Sequence, residues 1–338
     1  MPSKQHDLRS DIDIVVQQVL GETVHDIEMP GGETRASCRV ILKDGSVIAT
    51  RRPNFRRTHL EAAVLEALSP VCPHVPKFLG LQDNILLQSD VGGQRLSQTI
   101  RTADPTEQAR QAVGAVSAIL SIHETSRTAL RDVPVPPLGM TPDWAHSLAD
   151  SVQVLGQMGQ KLPFDADECA AALATEPKQF LKWDCRSGNA AIDASGTFCW
   201  FDFEYCGMRH GAEDFAWLIA DESFPINPEA MFSILEQLLP AFDIYETKAF
   251  LNYLALYTTF HATQRLSLIL SEAQRRGWRS KSQIVQRDDV GRHPEFAAHI
   301  CRVGAFCASQ HPLTRRLKPA FENCANQFED MLQAQPAA

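Results

Sequence analysis

The stretch "FLKWDCRSGNAAIDASGTFCWFDF", residues 180–203, constrains the fold more than any other part of the chain. Two short apolar bursts, "NAAI" and "TFCWFDF", flank the turn-forming residues "DASG", which predicts two strands joined by a tight turn at Ser195–Gly196. This hairpin brings Asp184 and Asn189, which precede the first strand, beside Asp202 at the end of the second strand. Carboxylate and amide oxygens are the ligands that a hard cation such as Mg²⁺ prefers. The sequence therefore predicts a cation site beside this hairpin.

The composition is that of an ordinary globular protein. The chain has 338 residues, 44% hydrophobic and 22% charged, so it can bury a large core in one domain or in two lobes. Its formal net charge is −9 and no lysine or arginine block dominates, so a nucleic-acid partner is not expected. The densest basic cluster, "RRPNFRR" at 51–57, is interpreted as a solvated loop, with a phosphate-facing patch as the alternative.

The termini and the cysteines indicate the compartment. The first residues lack the apolar core of a signal peptide, and no window approaches the roughly 20 apolar residues of a membrane span. The nine cysteines form no C-x-x-C pair and no zinc-spaced cluster. An odd number of cysteines without a framework is typical of reduced thiols. We therefore expect a soluble cytoplasmic protein that has no membrane partner.

The pattern along the chain predicts a small sheet-rich part followed by a larger helical part. "CRVIL" and "SVIAT" flank Asp44–Gly45, which is a strong hairpin signal, and Gly31–Gly32 marks an earlier turn. From about residue 94 onward the chain is mostly helical apart from the hairpin region. The remaining predicted elements are helices at 8–20 and 58–69 and strands at 75–81 and 84–90.

Five motifs in order resemble the aminoglycoside phosphotransferase and choline kinase branch of the protein-kinase-like fold. "KWDCRSGN" resembles the catalytic loop H-x-D-x-x-x-x-N, "FDFE" resembles the metal-binding D-x-E segment, and "GAEDFAWLI" resembles the acidic helix that follows. "ATRR" with "HLEAAVLEAL" is similar to the basic strand and glutamate helix of that family, and "NILLQSDVGGQRL" is similar to its hinge. The resemblance covers roughly residues 25–220.

This resemblance implies an α+β fold with two lobes. We expect a small N-terminal β-sheet lobe that binds nucleotide over residues 1–87 and a hinge over residues 88–93. The larger, mainly helical lobe with the catalytic groups and the acceptor site then covers residues 94–332.

The resemblance also implies a chemistry for the polar residues of the hairpin. Phosphoryl transfer depends on positioning and on neutralising the phosphate charge, so ATP (GTP is possible) and Mg²⁺ are the expected cofactors. Asp202 and Asn189 hold the metal, and Asp184 accepts the proton of the substrate hydroxyl. Asp214 holds the catalytic loop through backbone N–H groups, while Glu204 is either a supporting or a surface residue.

The expected nucleotide contacts lie in the first 93 residues. The phase of "A-x-K" places the strand lysine of the family on Arg51, with Arg52 as the alternative. Glu61 either caps its own helix from the capping box at Thr58 or, as its inward position favours, pairs with Arg51. Gly31 and Gly32 let the backbone approach the phosphates unless they form a plain β-turn. Backbone groups at the hinge are expected to bind adenine, at Gln88, Ser89, Asp90 and Val91.

Lys182 stands where the family has a histidine, and this difference suggests a role for the lysine. Lys182 either contributes charge near the phosphates or keeps Asp184 ionised; an exposed lysine is the alternative. Arg51 in place of lysine is the second departure, and the two side chains are not equivalent because arginine is bulkier and forked.

The predicted function is an ATP-dependent kinase of a small hydroxylated metabolite or an aminoglycoside-like compound. A nucleotide-binding pseudokinase with a regulatory role is the alternative. A protein kinase is disfavoured, because the chain has no D-F-G or A-P-E segment. In the helical region, His261 is expected to be a packed helix histidine, with a place in the acceptor pocket as the alternative. The sequence gives no indication of oligomeric state.

Overall fold

A five-stranded antiparallel sheet forms most of the N-terminal lobe in a computed structural model that describes residues 3–30, 35–141, 143–157 and 162–333. The strand order is β1-β2-β3-β5-β4. The strands are β1 Asp26–Glu28, β2 Ser37–Leu42, β3 Gly45–Thr50, β4 Phe78–Gln82 and β5 Ile85–Ser89.

The β2–β3 hairpin follows the alternation in the sequence. Every second residue of β2 is buried, and Leu42 pairs with Gly45 across a turn made by Lys43 and Asp44. Gly45 has a φ of 137°, a conformation that favours glycine. The buried face of the sheet packs on helix α1, Ser3–Leu20, through an apolar cluster that includes Val16.

Helix α2, Phe55–Leu68, begins three residues earlier than the sequence predicts. Its N-cap is Asn54, whose side chain accepts a hydrogen bond from the backbone N–H of Arg56 (3.1 Å). The capping-box alternative for Glu61 is therefore wrong, because Glu61 lies two turns inside the helix. Asn54 satisfies the free N–H groups at the helix start instead.

The helical lobe follows β5 after a short connection and carries two small strand pairs. Strands β6 Gln179–Leu181 and β9 Gly207–Arg209 pair with each other, as do β7 Ala190–Ile192 and β8 Phe198–Trp200. Its helices are α3 Leu96–Thr102, α4 Pro105–Ala129, α5 Trp144–Asp150, α6 Gln153–Gln157, α7 Ala166–Leu173, α8 Ala212–Ile219, α9 Pro228–Leu238, α10 Thr247–Arg276, α11 Lys281–Arg287, α12 Pro294–Gln310 and α13 Lys318–Gln333.

The predicted hairpin at residues 190–200 is confirmed. Ala190 pairs with Trp200 and Ile192 with Phe198. The Asp193 carboxylate accepts the backbone N–H of Ser195 (2.8 Å), and Gly196 supplies the positive φ of the turn (85°). The turn therefore carries its own hydrogen bonds, which explains why so short a hairpin forms at this place.

The core of the helical lobe is continuous and apolar, and all nine cysteines are buried and free. Helix α12 packs against α10 and α13, where Gly304 allows the ring of Phe321 to approach its backbone. Among the helices of the described residues, none combines the length and the apolar run needed to cross a bilayer.

We predict that Gly304→Ala destabilises the protein by up to about 2 kcal/mol. A Cβ at this position overlaps the Phe321 ring, and overpacking of this kind costs about 1–3 kcal/mol of stability. The higher helix propensity of alanine offsets about 1 kcal/mol of this cost. Urea unfolding measures the difference. Gly156→Ala is the matched control, because its Cβ comes no closer than 3.4 Å to Leu162; equal effects of the two substitutions would contradict the prediction.

Candidate active site

A cavity of about 330 Å³ lies between the sheet and the helical lobe, within the usual size range of small-molecule sites. The residues of its wall that matter for function are Arg35, Ile48, Thr50, Arg52, Gln88, Ser89, Asp90, Val91, Arg95, Asn189, Phe201, Asp202 and Asp288. The wall thus combines apolar surface beside the hinge with charged and amide groups.

The start of the catalytic loop is held by a buried carboxylate. Asp214 accepts the backbone N–H groups of Lys182 (2.9 Å) and Trp183 (2.8 Å), as the sequence predicts. Its Oδ2 also accepts Nε2 of His123 (2.9 Å), and the hydroxyl of Tyr245 lies 2.9 Å from Nδ1 of that histidine. Asp214, His123 and Lys182 are buried, and Trp183 and Tyr245 are partly buried, so the loop backbone is fixed by a chain of satisfied hydrogen bonds.

The far end of the loop is held by a second carboxylate, Asp221. Its Oδ2 accepts the backbone N–H of Ser187 (2.7 Å), and its Oδ1 accepts that of Ser223 (2.9 Å). The two anchors leave the middle of the loop in an uncommon conformation, with φ of 59° at Trp183 and 50° at Asp184. Such backbone conformations persist only where the surroundings enforce them.

The Asp184 carboxylate has one partner on each oxygen. Nε of Arg186 donates to Oδ1 (2.8 Å), and Nδ2 of Asn189 donates to Oδ2 (2.9 Å). Burial alone raises the pKa of Asp184, but the charge and hydrogen bond of Arg186, together with the charge of Lys182, bring the pKa below its usual value. Asp184 is therefore ionised at neutral pH.

Lys182 is buried rather than exposed, which contradicts the alternative of a solvated lysine. Its ammonium donates to the carbonyl oxygens of Trp183 (3.3 Å), Asp184 (3.3 Å) and Asp202 (3.1 Å). The positive charge of Lys182 therefore lies against the backbone of the catalytic loop and of the segment that carries Asp202. From this position it lowers the pKa of Asp184. Lys182 thus contacts the backbone of the two segments that carry Asp184 and Asp202.

Arg52 lies at the centre of a buried ion-pair cluster. Its guanidinium pairs with Glu61, donates to Oδ1 of Asp202 (2.8 Å) and lies 3.2 Å from Oε2 of Glu204. Glu61 also accepts the backbone N–H of Phe203 (2.9 Å). Burial raises the pKa of Glu61, with Arg52 opposing and Asp202 reinforcing this effect. The cluster joins the end of β3, helix α2 and the segment after β8.

The prediction that Arg51 is the cleft arginine is wrong, and so is the pairing of Arg51 with Glu61. Arg51 is half-exposed and pairs with Asp11 of helix α1 (2.6 Å). The reason is the phase of β3, because Ala49 belongs to the apolar cluster under α1, so Arg51 faces the same side. Ile48, Thr50 and Arg52 face the cavity instead.

Within the described part of the chain, Oδ1 of Asn189 and Oδ2 of Asp202 have no hydrogen-bond partner, and both residues line the cavity. The amide nitrogen of Asn189 is fixed by two acceptors, the carbonyl (3.0 Å) and carboxylate (2.9 Å) of Asp184, which leaves Oδ1 for a ligand. The backbone of Asp202 is left-handed, with a φ of 65°. Of its two carboxylate oxygens, only Oδ1 accepts a hydrogen bond from Arg52. No three His, Cys, Asp or Glu side chains form a metal cluster in the described part of the chain. Mg²⁺ usually takes one or two protein carboxylates plus phosphates.

The charge around Asp202 also fits a divalent cation. Burial and the neighbouring charge of Asp202 raise the pKa of Glu204, against the opposing charges of Arg52 and Arg57. Three carboxylates, those of Glu61, Asp202 and Glu204, thus share two guanidinium groups. A bound cation would relieve their repulsion, so the donor set of this site fits Mg²⁺.

The predicted hinge residues lie on the cavity wall, whereas Gly31 and Gly32 fall outside the described residues. The side chain of Asp90 is held by Arg39 and by the hydroxyl of Ser46 (2.7 Å). Within the described ranges, the backbone groups of Asp90 and Val91 make no hydrogen bond to other backbone groups. These groups are free to bind a ligand.

Sequence reasoning did not find four residues of the site: His123, Arg186, Asp221 and Asp288. Arg186 lies inside the catalytic-loop motif between Asp184 and Asn189, so its position in the sequence carries a signal. The other three are distant along the chain from the groups they contact, and their surroundings in the sequence are ordinary. Their roles are visible only in three dimensions.

His261 is a packed helix histidine, as expected from the sequence. It is buried on α10 and lies against the rings of Trp217 (4.3 Å between centroids) and Tyr257 (5.9 Å). Burial lowers the pKa of His261 to about 3, and the charge of Arg265 acts in the same direction. The imidazole is therefore neutral at neutral pH.

Comparison with known proteins identifies the family. The chain belongs to the phosphotransferase enzyme family, whose model matches residues 27–246. No curated protein matches the chain. With the fold and the site, the family match confirms the predicted enzyme class, a phosphotransferase with an alcohol group as acceptor.

Solved structures share the fold at low sequence identity. A choline kinase, LicA from Streptococcus pneumoniae, aligns over 83% of this chain and 96% of its own at 12% identity and a TM-score of 0.51. A choline/ethanolamine kinase family protein from Mesorhizobium loti aligns over 93% and 99% at 15% identity and a TM-score of 0.52. A spectinomycin phosphotransferase, in complex with ADP and spectinomycin, aligns over 87% and 98% at 12% identity and a TM-score of 0.53. These likenesses confirm the two-lobed kinase-like fold.

We predict that acidification destabilises the protein through His261. The unfolded histidine has a pKa near ~6.5 and the folded one about 3, so between these values the unfolded state binds an extra proton. The free energy of unfolding then falls by up to about 1.4 kcal/mol per pH unit as pH drops below ~6.5. Urea unfolding at pH 7 and pH 5.5 should show a smaller pH dependence for His261→Gln than for the wild type. The exposed His25→Gln is the control, and parallel curves for His261→Gln and wild type would refute the prediction.

Proposed function

We propose that the protein transfers the γ-phosphate of ATP, or of GTP, to a hydroxyl group of a small metabolite or an aminoglycoside-like compound. One observation carries the proposal: Asn189 and Asp202 offer free oxygens to the same cavity that Arg52 lines, and Asp184 is hydrogen-bonded to Asn189. Metal ligands, a cation and a base are therefore adjacent, which is the arrangement that phosphoryl transfer requires.

The nucleotide base fits the apolar end of the cavity. Ile48 and Phe201 line this end, and Ile48 pairs with Gln88 at the start of the hinge. The free backbone groups of Asp90 and Val91 offer a donor and an acceptor to the edge of a purine. The contacts of Asp90 with Arg39 and Ser46 keep this short segment in place.

The phosphates lie toward Arg52 and the metal ligands. Oδ1 of Asn189 and the second oxygen of Asp202 would hold Mg²⁺, which neutralises phosphate charge when bound. Arg52 supplies the fixed cation of this end of the cavity in place of the lysine of the family. Glu61 orients Arg52 and, through Phe203, the segment that carries Asp202.

Asp184 is the proposed catalytic base. Its carboxylate is ionised and lies beside Asn189, so a hydroxyl that approaches the phosphate can donate its hydrogen bond there. Lys182, Asp214 and Asp221 position the loop that carries it. Arg186 occupies one oxygen of Asp184 and must shift for that oxygen to bind the acceptor.

The structural neighbours support a small-molecule acceptor. They include a choline kinase and a spectinomycin phosphotransferase, whose names give the small molecules choline and spectinomycin. The family match supports phosphotransfer itself. A panel of amino alcohols, amino sugars and aminoglycosides is therefore the first set of acceptors to test.

We predict different defects for the two aspartates. Asp184→Asn keeps nucleotide binding but lowers turnover by about 10²–10⁴-fold, because it removes the base. Asp202→Asn loses Mg²⁺-dependent nucleotide binding, because it removes a metal ligand. Release of ADP or GDP with the acceptor panel measures turnover, and calorimetry measures binding. Unchanged turnover in Asp184→Asn, or absence of turnover and of nucleotide binding in the wild type, would overturn the proposal.

A further inference from the structure

Three arginines from separate parts of the chain surround one carboxylate at the edge of the cavity. Arg35 precedes β2, Arg95 precedes α3, and Arg186 belongs to the catalytic loop. Their guanidinium nitrogens lie 3.8, 3.8 and 3.5 Å, respectively, from the carboxylate of Asp288. Arg35 also donates to the backbone oxygen of Asp288 (3.2 Å). The group therefore links the N-terminal lobe, the start of the helical lobe and the catalytic loop.

Asp288 reaches this place from the end of helix α11. Its backbone is left-handed (φ 48°, ψ 48°), which turns the side chain back toward the catalytic loop. There it packs against Gly188, where a Cβ would lie only 2.5 Å from Oδ1. The side chain is 17% exposed and lies on the cavity wall beside Asn189. The catalytic loop thus leaves space for this carboxylate.

The segment that carries Asp288, residues 278–292, which we name the strap, has its own anchors. Asp289 pairs with Arg276 (2.9 Å), Arg279 (3.3 Å) and Arg292 (3.3 Å). The backbone N–H of Gly291 donates to a buried glutamate of the helical lobe (2.8 Å). These contacts hold the strap to the helical lobe without any contribution from Asp288.

The number of donors at this place favours a larger anion than one carboxylate. Three guanidinium groups face the single carboxylate of Asp288, and one of them, that of Arg186, also pairs with Asp184. Arg35 and Arg95 keep 49% and 32% of their side chains exposed, so a ligand can reach them. Burial raises the pKa of Asp288, although the charges of Arg186 and Arg95 lower it. The ionised form of this carboxylate is therefore destabilised by its surroundings. A phosphate offers more charge and more acceptor oxygens to the same donors.

We propose that Arg35, Arg95 and Arg186 form an anion site for the terminal phosphate of the nucleotide, and that Asp288 occupies this site as an internal competitor until nucleotide binds. The inference rests on the proposed function and deepens it. Phosphate binding draws Arg186 away from Asp184 and frees Oδ1 for the acceptor hydroxyl. Loading of the nucleotide is thereby coupled to release of the catalytic base.

The test is a series of binding measurements on Asp288→Asn. Calorimetry gives the dissociation constants of ATP, ADP, AMP and inorganic tripolyphosphate for the full chain. ATP and tripolyphosphate should bind about three- to tenfold more tightly to the variant than to the wild type, since a charged competitor has been removed. The gain should shrink for ADP and disappear for AMP. Arg95→Gln should lose most of the preference for ATP over ADP.

An exposed carboxylate far along the chain from the arginines provides the control variant. Glu229→Gln removes one exposed carboxylate at the start of α9 and should leave all four constants unchanged. ATP binding to Asp288→Asn at wild-type strength, or an equal gain for AMP, would overturn the anion site. A gain seen only for inorganic phosphate added to the ADP-bound protein would assign the arginines to a phosphate on the acceptor and overturn the nucleotide assignment.

The failure of the proposed function is distinguishable from the failure of this inference. If neither protein binds ATP or GTP, the kinase proposal fails. In that case tighter binding of tripolyphosphate to Asp288→Asn would still support an anion site with Asp288 as its competitor. Thermal unfolding of each variant verifies that it is folded, and Arg95→Gln tests the site even if Asp288→Asn does not fold.

Discussion

The active site depends on one buried guanidinium, that of Arg52. It pairs with Glu61 on α2 and with Asp202 and Glu204 after β8, so it connects the sheet of one lobe to the segment of the other that carries Asp202. Charges are buried only when they are paired. Removal of one partner of a buried pair leaves an uncompensated charge and costs about 3–5 kcal/mol. The relative position of these elements is therefore coupled to the charge of Arg52.

Three buried side chains fix the backbone that carries Asp184 and Asp202. Asp214 and Asp221 hold the two ends of the catalytic loop by N–H groups, and Lys182 holds the carbonyls of Asp184 and Asp202 from below. The positive φ values of Asp184 and Asp202 persist because these buried bonds enforce them. A lysine at position 182 thus supports the two loops through a single buried ammonium.

The cleft carries opposite charges at two neighbouring places. Near Asp202, the carboxylates of Asp202, Glu61 and Glu204 lie together around Arg52, which suits a divalent cation. Near Asp288, three arginines converge on one carboxylate, which suits a phosphate. A metal–triphosphate complex has both kinds of charge, so the pattern complements such a ligand as a whole.

The local parts of the site were predictable from sequence, and the long-range parts were not. The hairpin carrying Asp202, the role of Asp214 and the inward place of Glu61 follow from turn chemistry, motif spacing and helix phase. The A-x-K phase predicts Arg51 rather than Arg52, because it places the basic residue two positions after Ala49, which faces α1 rather than the cavity. Asp288 has no local signal, because its partners Arg35, Arg95 and Arg186 are at least 102 residues away along the chain. Only the packing of the strap brings them together.

Arg52 is the proposed cation of the phosphate end of the cleft. Calorimetry of Mg-ATP binding to the wild type, Arg52→Gln and Arg51→Gln separates its role from that of its neighbour, since the two substitutions remove the same charge from adjacent positions. We expect metal-dependent binding to the wild type and to Arg51→Gln, and a loss of at least about tenfold in Arg52→Gln, equal to ~1.4 kcal/mol. Equal binding to both variants, or a larger loss in Arg51→Gln, would refute this role of Arg52.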